Sequence, residues 1–146
     1  MSILPHLTVA TIIERDGQFL MVHEHSKGQL VINQPAGHVE NNETVMQAAI
    51  RETEEETGWQ VELTDFLGIY HYHAANDRHY CRIAFIGQAV EQRYEGPTDK
   101  SIIGAQWLSI DEIQQLSHRG DLVQRCIDDY LKGRRYPLDI CQGYTV

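Results

Sequence analysis

Apolar and polar positions alternate in short runs over most of the chain and switch to a helical period near residue 44. Residues 7–13 are rich in β-branched side chains and predict a strand. Asp16-Gly17 is a turn signal, and residues 19–23 predict the returning strand. Residues 25–29 predict a loop, and residues 30–33 a short strand ahead of Pro35. From 44 to 57 the period changes. Met46, Ala49, Ile50 and Thr53 fall at i, i+3, i+4 and i+7, which predicts an amphipathic helix. Thr44 and Gln47 fit a capping box at its start, and Gly58 is a natural stop. Residues 61–73 and 79–90 predict two longer strands joined near 74–78, followed by a polar loop over 91–101 that holds Gly96-Pro97. A strand over 103–108, a short helix opened by Ser109 and Glu112, and a last helix over 122–132 complete the pattern. Asp121 is the expected cap of that last helix and Gly133 its stop. Strands interleaved with helices predict an α/β (α+β) architecture, a mixed sheet packed between helices. Neither an internal repeat nor a linker divides the chain, so one domain over 1–146 is expected.

Composition narrows the class. An apolar share of 42% in 146 residues is enough for a core. The first residues lack a basic stretch followed by a long apolar run, and no stretch is long enough for a membrane span, so a soluble cytoplasmic protein with no membrane partner is expected. The three cysteines, Cys81, Cys126 and Cys141, are odd in number and widely spaced, which argues against a CxxC metal site or a disulfide framework. Twelve basic against 21 acidic residues leave a net charge of −9. That balance disfavours a nucleic-acid polymer as partner. It leaves phosphate chemistry open, because carboxylates hold divalent cations and the cations hold phosphates. What matters is whether the acids are scattered or focused.

They are focused between residues 37 and 59, where Glu40, Glu43, Glu52, Glu54, Glu55 and Glu56 surround a single base, Arg51. On a helix Glu52, Glu55 and Glu56 share one face, away from the apolar one, while Glu54 points elsewhere. Like charges at this spacing repel by ~0.2–0.5 kcal/mol per exposed pair. They also sit near the helix C-terminus, where the macrodipole disfavours negative charge. A bound Mg²⁺ or Mn²⁺ removes both costs. Ala48, one turn before Glu52, is small enough to leave room for a phosphate. A solvated acidic face is the plainer reading of such a run, and the surrounding residues decide against it.

The segment reads Gly37, five residues, Glu43, seven residues, then Arg51-Glu52-Thr53-Glu54-Glu55-Glu56-Thr57-Gly58-Trp59. It resembles the Nudix box, G-x5-E-x7-R-E-U-x-E-E-x-G-U, at every charged and glycine position. Thr53 and Trp59 stand where the box has bulky apolar residues. The resemblance implies the Nudix fold, a mixed β-sheet between helices with the box as loop-helix-loop, and a metal-dependent hydrolase of phosphoanhydride bonds in a small molecule. By position it implies Glu52, Glu55 and Glu56 as metal ligands, with the Ala36 carbonyl adding one more. Arg51 would orient the carboxylates with Glu43 as its partner. Either Glu52 or a residue outside the box would help deprotonate the attacking water. Gly37, Glu43 and Gly58 would be structural. Many members supply a further acid from a late loop; here Asp99 is the first choice and Glu95 the second.

Residues 5–10, 33–38 and 135–138 resemble the NudJ phosphatase branch of that family. The branch is associated with phosphate release from nucleoside tri- and diphosphates, thiamine pyrophosphate and its pyrimidine precursor diphosphate. The alternatives are a pyrophosphatase for ADP-ribose-type or damaged nucleotides, and a ligand-sensing domain without turnover. Both monomers and dimers occur in the family.

Gln34 and His38 flank the box glycine and are expected to touch substrate, and Arg78 or Arg82 to meet a phosphate. His23 and His25, like His71 and His73, are two apart and share a strand face. Such pairs can bind transition metals, but no third ligand is evident, so ordinary surface or pocket histidines are expected. Tyr70, Tyr72 and Tyr80 could stack on a ring, although strand tyrosines more often pack.

Overall fold

The computed structural model describes residues 4–74 and 77–143. Seven strands form one mixed sheet: β1 (His6–Arg15), β2 (Gln18–Ser26), β3 (Gln29–Asn33), β4 (Ala36–His38), β5 (Trp59–His73), β6 (His79–Gln92) and β7 (Ile102–Ser109). Three α-helices accompany them, α1 (Val45–Thr57), α2 (Ile110–Gln115) and α3 (Asp121–Leu131), with a 3₁₀ turn at Leu138–Ile140. Strand order is β3-β2-β1-β6-β5, with β4 added to β1 and β7 to β2. The β1–β6 pairing is parallel and the other strand pairings are antiparallel.

Strand parity distributes the core. Val9, Ile83 and Phe85 face α1 and meet Ala48 and Ala49. Ile12, Ala84 and Ile86 face the other way, onto Ile113 of α2 and Val123, Cys126 and Ile127 of α3. The expected sheet between helices is thus present, and alternate residues of β1 and β6 serve the two layers. Asp16 and Gly17 both take positive φ, 53° and 80°, as a tight hairpin turn requires.

Four expectations need correction. Residues 25–29 are not an open loop. β2 continues to Ser26, and Lys27-Gly28 turns directly into β3 with φ of 53° and 77°. Lys27 in left-handed backbone is an uncommon choice, which hid the turn. Asp121 is not the cap of α3: it is the first helical residue, and Gly120 caps with no side-chain hydrogen bond. The apolar face of α1 is also shifted. Ile50 is 39% exposed, while Ala48, Ala49, Glu52, Thr53, Glu56 and Thr57 are buried. The helix is wedged between the sheet and the 93–101 loop, so a flank that carries two glutamates turns inward. Ala48, at 0% exposure, is in the core and leaves no room there for a phosphate.

Candidate active site

The box is held at both ends by local chemistry. Thr44 accepts from the Gln47 amide, and the Gln47 side chain accepts from the Thr44 amide, which closes the capping box. At the other end Gly58 takes φ 79° and its amide donates to the Glu54 carbonyl. The 93–101 loop then covers the last turn. Thr98 N–H donates to the Glu55 carbonyl at 2.8 Å and Arg93 N–H to the Gly58 carbonyl at 2.8 Å. Tyr94 Oη donates to the Glu54 carbonyl at 3.1 Å. Orphan carbonyls of the helix end are thereby satisfied, and Asp99 is carried to the carboxylates.

Arg51 organises the outer side. Its Nε and Nη2 form a two-pronged bridge to Glu43 at 2.9 and 2.8 Å. Nη1 donates to Glu52 at 2.9 Å and to Glu55 at 3.1 Å, and it stands 3.3 Å from Glu40. Nη2 also donates to the His38 carbonyl at 3.1 Å, which ties the helix to β4. The Arg51 hydrogen bonds hold the Glu43 carboxyl below the usual carboxylate range.

Glu52, Glu56 and Asp99 converge on the inner side, with one oxygen of each within 4.8 Å of the others. Burial pushes the Glu56 carboxyl up to about 9; the Ala36 N–H at 2.8 Å opposes this, while nearby Glu52, Glu24 and Asp99 add to it. Burial likewise raises Glu52, against the pull of Arg51. Glu55 is not in the converging set. Its side chain is 40% exposed and lies along Arg51. Asp99 is oriented by Ser101, whose amide and hydroxyl both donate to its Oδ1 at 2.9 and 2.7 Å. Glu95 is exposed on the same loop.

Gly37 of β4 explains one close approach. A Cβ there would overlap the Glu52 carboxyl group. Gly37→Ala is therefore expected to displace Glu52 and lower kcat roughly 100-fold, the scale of a 1 Å misplacement at a reacting centre. Steady-state turnover of a phosphoanhydride substrate, with melting as a fold control, checks this; kcat within a few-fold of wild type would refute the coupling.

The residues expected at the substrate differ in placement. Gln34 is 1% exposed; its amide donates to the Val123 carbonyl at 2.7 Å and its oxygen accepts from Arg82 at 3.1 Å. Both ends of Gln34 are engaged inside the protein. The structure thus gives it a bracing part rather than a face toward solvent. Arg82 is itself 6% exposed and reaches Asn33 at 3.4 Å, while its Nε has no hydrogen-bond partner among the described residues. Arg78 is exposed in the β5–β6 turn. His38 is exposed, and its Nε2 lies 3.0 Å from His6 Nδ1. His38 begins a row of rings on the α3 side of the sheet: His6 stacks on Tyr80 at 4.8 Å and Tyr80 on Tyr72 at 5.3 Å. Tyr70 instead donates to Asp129 at 2.7 Å.

One residue escaped the sequence reading. Glu24 of β2 is 7% exposed, pairs with Arg119 at 2.7 Å and adds to the negative field at Glu56. The signal was available, because Glu24 follows Val22 by two and so falls at an inward position of its strand.

A loop-helix-loop with an arginine bridged to the loop glutamate and inward helix carboxylates is the arrangement that the resemblance to the Nudix box implies. The profile of the NUDIX domain matches residues 4–129. The chain belongs to the Nudix family. Phosphatase NudJ of Escherichia coli K12 is 37% identical over 142 residues, 97% of this chain and 93% of that protein. A Nudix hydrolase from Nitrosomonas europaea superposes with a TM-score of 0.92 at 45% identity, covering 97% of this chain and 98% of that one. The Nudix domain of Shewanella oneidensis NrtR, in complex with ADP-ribose, shares the fold at a TM-score of 0.69 and 16% identity, with 90% of each chain covered. This Nudix protein is a hydrolase acting on phosphorus-containing anhydrides. Nudix enzymes use divalent metals, and the donor set here fits one: two buried carboxylates and a third acid, all hard oxygen donors held close against their mutual repulsion. Among the described residues no helix is long and apolar enough to cross a membrane.

Proposed function

We propose that the chain releases orthophosphate from nucleoside tri- and diphosphates and from thiamine-pyrophosphate-like diphosphates, with Mg²⁺ as its working cation. The observation that carries the catalytic part is the convergence of Glu52, Glu56 and Asp99 beneath the Arg51 bridge. The choice of substrate class is supported by likeness to phosphatase NudJ over 97% of the chain.

Glu52, Glu56 and Asp99 hold the cation, and the Ala36 carbonyl at the start of β4 joins them. When bound, the ion supplies charge neutralisation to phosphate oxygens and lowers the pKa of water. Arg51 fixes the Glu52 carboxylate through Nη1, so the ligand is oriented before substrate arrives. Glu52 accepts the proton of the attacking water in this reading, with Glu55 or a residue outside the box as the alternative. Catalysis then rests on placement and fixed charge rather than on a covalent intermediate. The stacked rings of His6, Tyr80 and Tyr72, with His38 edge-on to His6, offer an aromatic surface against which a heteroaromatic substrate can lean.

Phosphate and pyrophosphate release from nucleoside di- and triphosphates, thiamine pyrophosphate and ADP-ribose, with and without Mg²⁺, tests this. Orthophosphate from the diphosphates is expected. Pyrophosphate from triphosphates, or paired monophosphates from ADP-ribose, would move the chain to a pyrophosphatase role. Binding without turnover of any member would point to a sensing domain.

A further inference from the structure

The sequence offered His71 and His73 on one strand face and no third partner. The β5–β6 ladder supplies it. His73 and His79 are directly paired across the two strands, and His71 lies two residues before His73 on the same face. His71 Nε2 is 3.1 Å from His79 Nδ1. Ring centroids are 5.3 Å apart for His71–His73, 5.4 Å for His71–His79 and 5.3 Å for His73–His79. The three rings therefore make a nearly equilateral triangle, and one nitrogen of each lies within 4.8 Å of the others.

That triangle has the size of a coordination face. With metal–imidazole bonds of about 2.0–2.1 Å and tetrahedral angles, three ring centres stand roughly 5.2 Å apart around one ion. The antiparallel ladder fixes two strands against each other, so the donors are assembled by backbone pairing before any ion arrives. His71 and His73 are exposed and His79 half-buried, which gives an entry path from solvent. We propose that His71, His73 and His79 bind a divalent transition ion of the zinc class, with the fourth position left to water. Cys81 sits opposite His71 in the ladder but packs against the Phe85 cluster, outside the converging set. Neutral imidazole selects zinc, nickel or copper over magnesium, whereas the carboxylate cluster of the box is a hard oxygen site. The two sites share no residue and differ in ligand class. Occupancy would clasp β5 to β6 on the face of the sheet opposite the Tyr72–Tyr80 stack.

The test is a titration of the tag-free full chain with Zn²⁺ by calorimetry, and with Co²⁺ by visible absorption, in excess Mg²⁺ to fill the carboxylate cluster. One equivalent of Zn²⁺ per chain is expected, with the absorption of nitrogen-ligated Co²⁺. His73→Asn and His79→Asn should each weaken binding at least tenfold, and Glu56→Gln should leave it unchanged. Melting in chelator controls for folding; a variant that melts early is replaced by His71→Asn, which alters an exposed position. Loss of Zn²⁺ binding in excess Mg²⁺, or histidine variants that bind as wild type does, would overturn the site. Neither outcome depends on which phosphate substrate the enzyme prefers.

Discussion

Glu56→Gln is expected to lower turnover on the order of 1,000-fold, the scale for removing a preorganised charged group, and yet to make the metal-free protein more stable. The Glu56 side chain is 4% exposed and accepts the Ala36 amide at 2.8 Å, a bond that a glutamine oxygen retains. What the substitution removes is a buried ionisable group that has no ion-pair partner among the described residues. In the unfolded chain this carboxyl titrates near 4.5, and in the folded one near 9. Between those values the folded protein holds a proton that the unfolded chain has released. Stability therefore falls as pH rises through this window, with a limiting slope of about 1.4 kcal/mol per pH unit. Glutamine has no such slope. In chelator, the variant's melting advantage should widen by roughly 10 °C from pH 6 to pH 9, at ~2–4 °C per kcal/mol. Added Mg²⁺ should raise wild type far more than the variant, because the ion binds only the folded carboxylates. A melting difference that is flat with pH would mean that Glu56 is solvated, and the cluster would lose its physical basis.

Arg51→Met should cost about 3 kcal/mol of unfolding free energy, with a drop of roughly 10 °C in Tm. The side chain of Arg51 is 22% exposed, that of Glu43 14% and that of Glu52 11%, so water screens these bridges only in part. Methionine fills a similar volume but leaves Glu43, Glu52 and Glu55 facing one another without a cation. Glu43 has a lowered folded pKa, so its contribution is present above 4.5 and is lost as pH falls through the folded value. The gap between variant and wild type should thus be full at pH 7 and narrow below pH 4.5. Arg51→Lys keeps the charge but not the two-pronged bridge to Glu43, and should fall between the two. Urea unfolding at pH 7 and pH 3.5 decides the matter. A loss under about 1 kcal/mol at pH 7 would show the bridge to be a surface pair of little weight.

What could be read from the sequence was what short stretches of chain determine. The α1 caps at Thr44 and Gly58 and the Asp16-Gly17 turn all depend on neighbours within four residues. The Nudix spacing then named Arg51 and Glu43, eight residues apart, as a pair, and they are bridged. What was not legible depends on distant chain. β4 is only three residues long and exists because β1 offers it an edge at Thr8, Val9 and Ala10. Ile50 faces outward and Glu56 inward because the sheet and the 93–101 loop, not the helical period, decide which flank is covered. Asp99 reaches the carboxylates through hydrogen bonds to Glu55, forty-four residues earlier in the numbering. His79 joins His71 and His73 only through strand register, which hydrophobic periodicity does not contain.

The parallel pairing of β1 with β6 joins His6 to Tyr80 and Ile13 to Gly87. A ribosome delivers the chain from its first residue, so β1 leaves the exit tunnel long before its partner exists. Its apolar residues Val9, Ile12 and Ile13 must wait while the whole box and β5 are synthesised. The hairpin with β2 covers only the far end of β1, at Glu14 and Arg15. Contacts so far apart in sequence slow folding and prolong the exposure of an unpaired edge. The strand that anchors the centre of the finished sheet is, during synthesis, the segment most in need of protection from other chains.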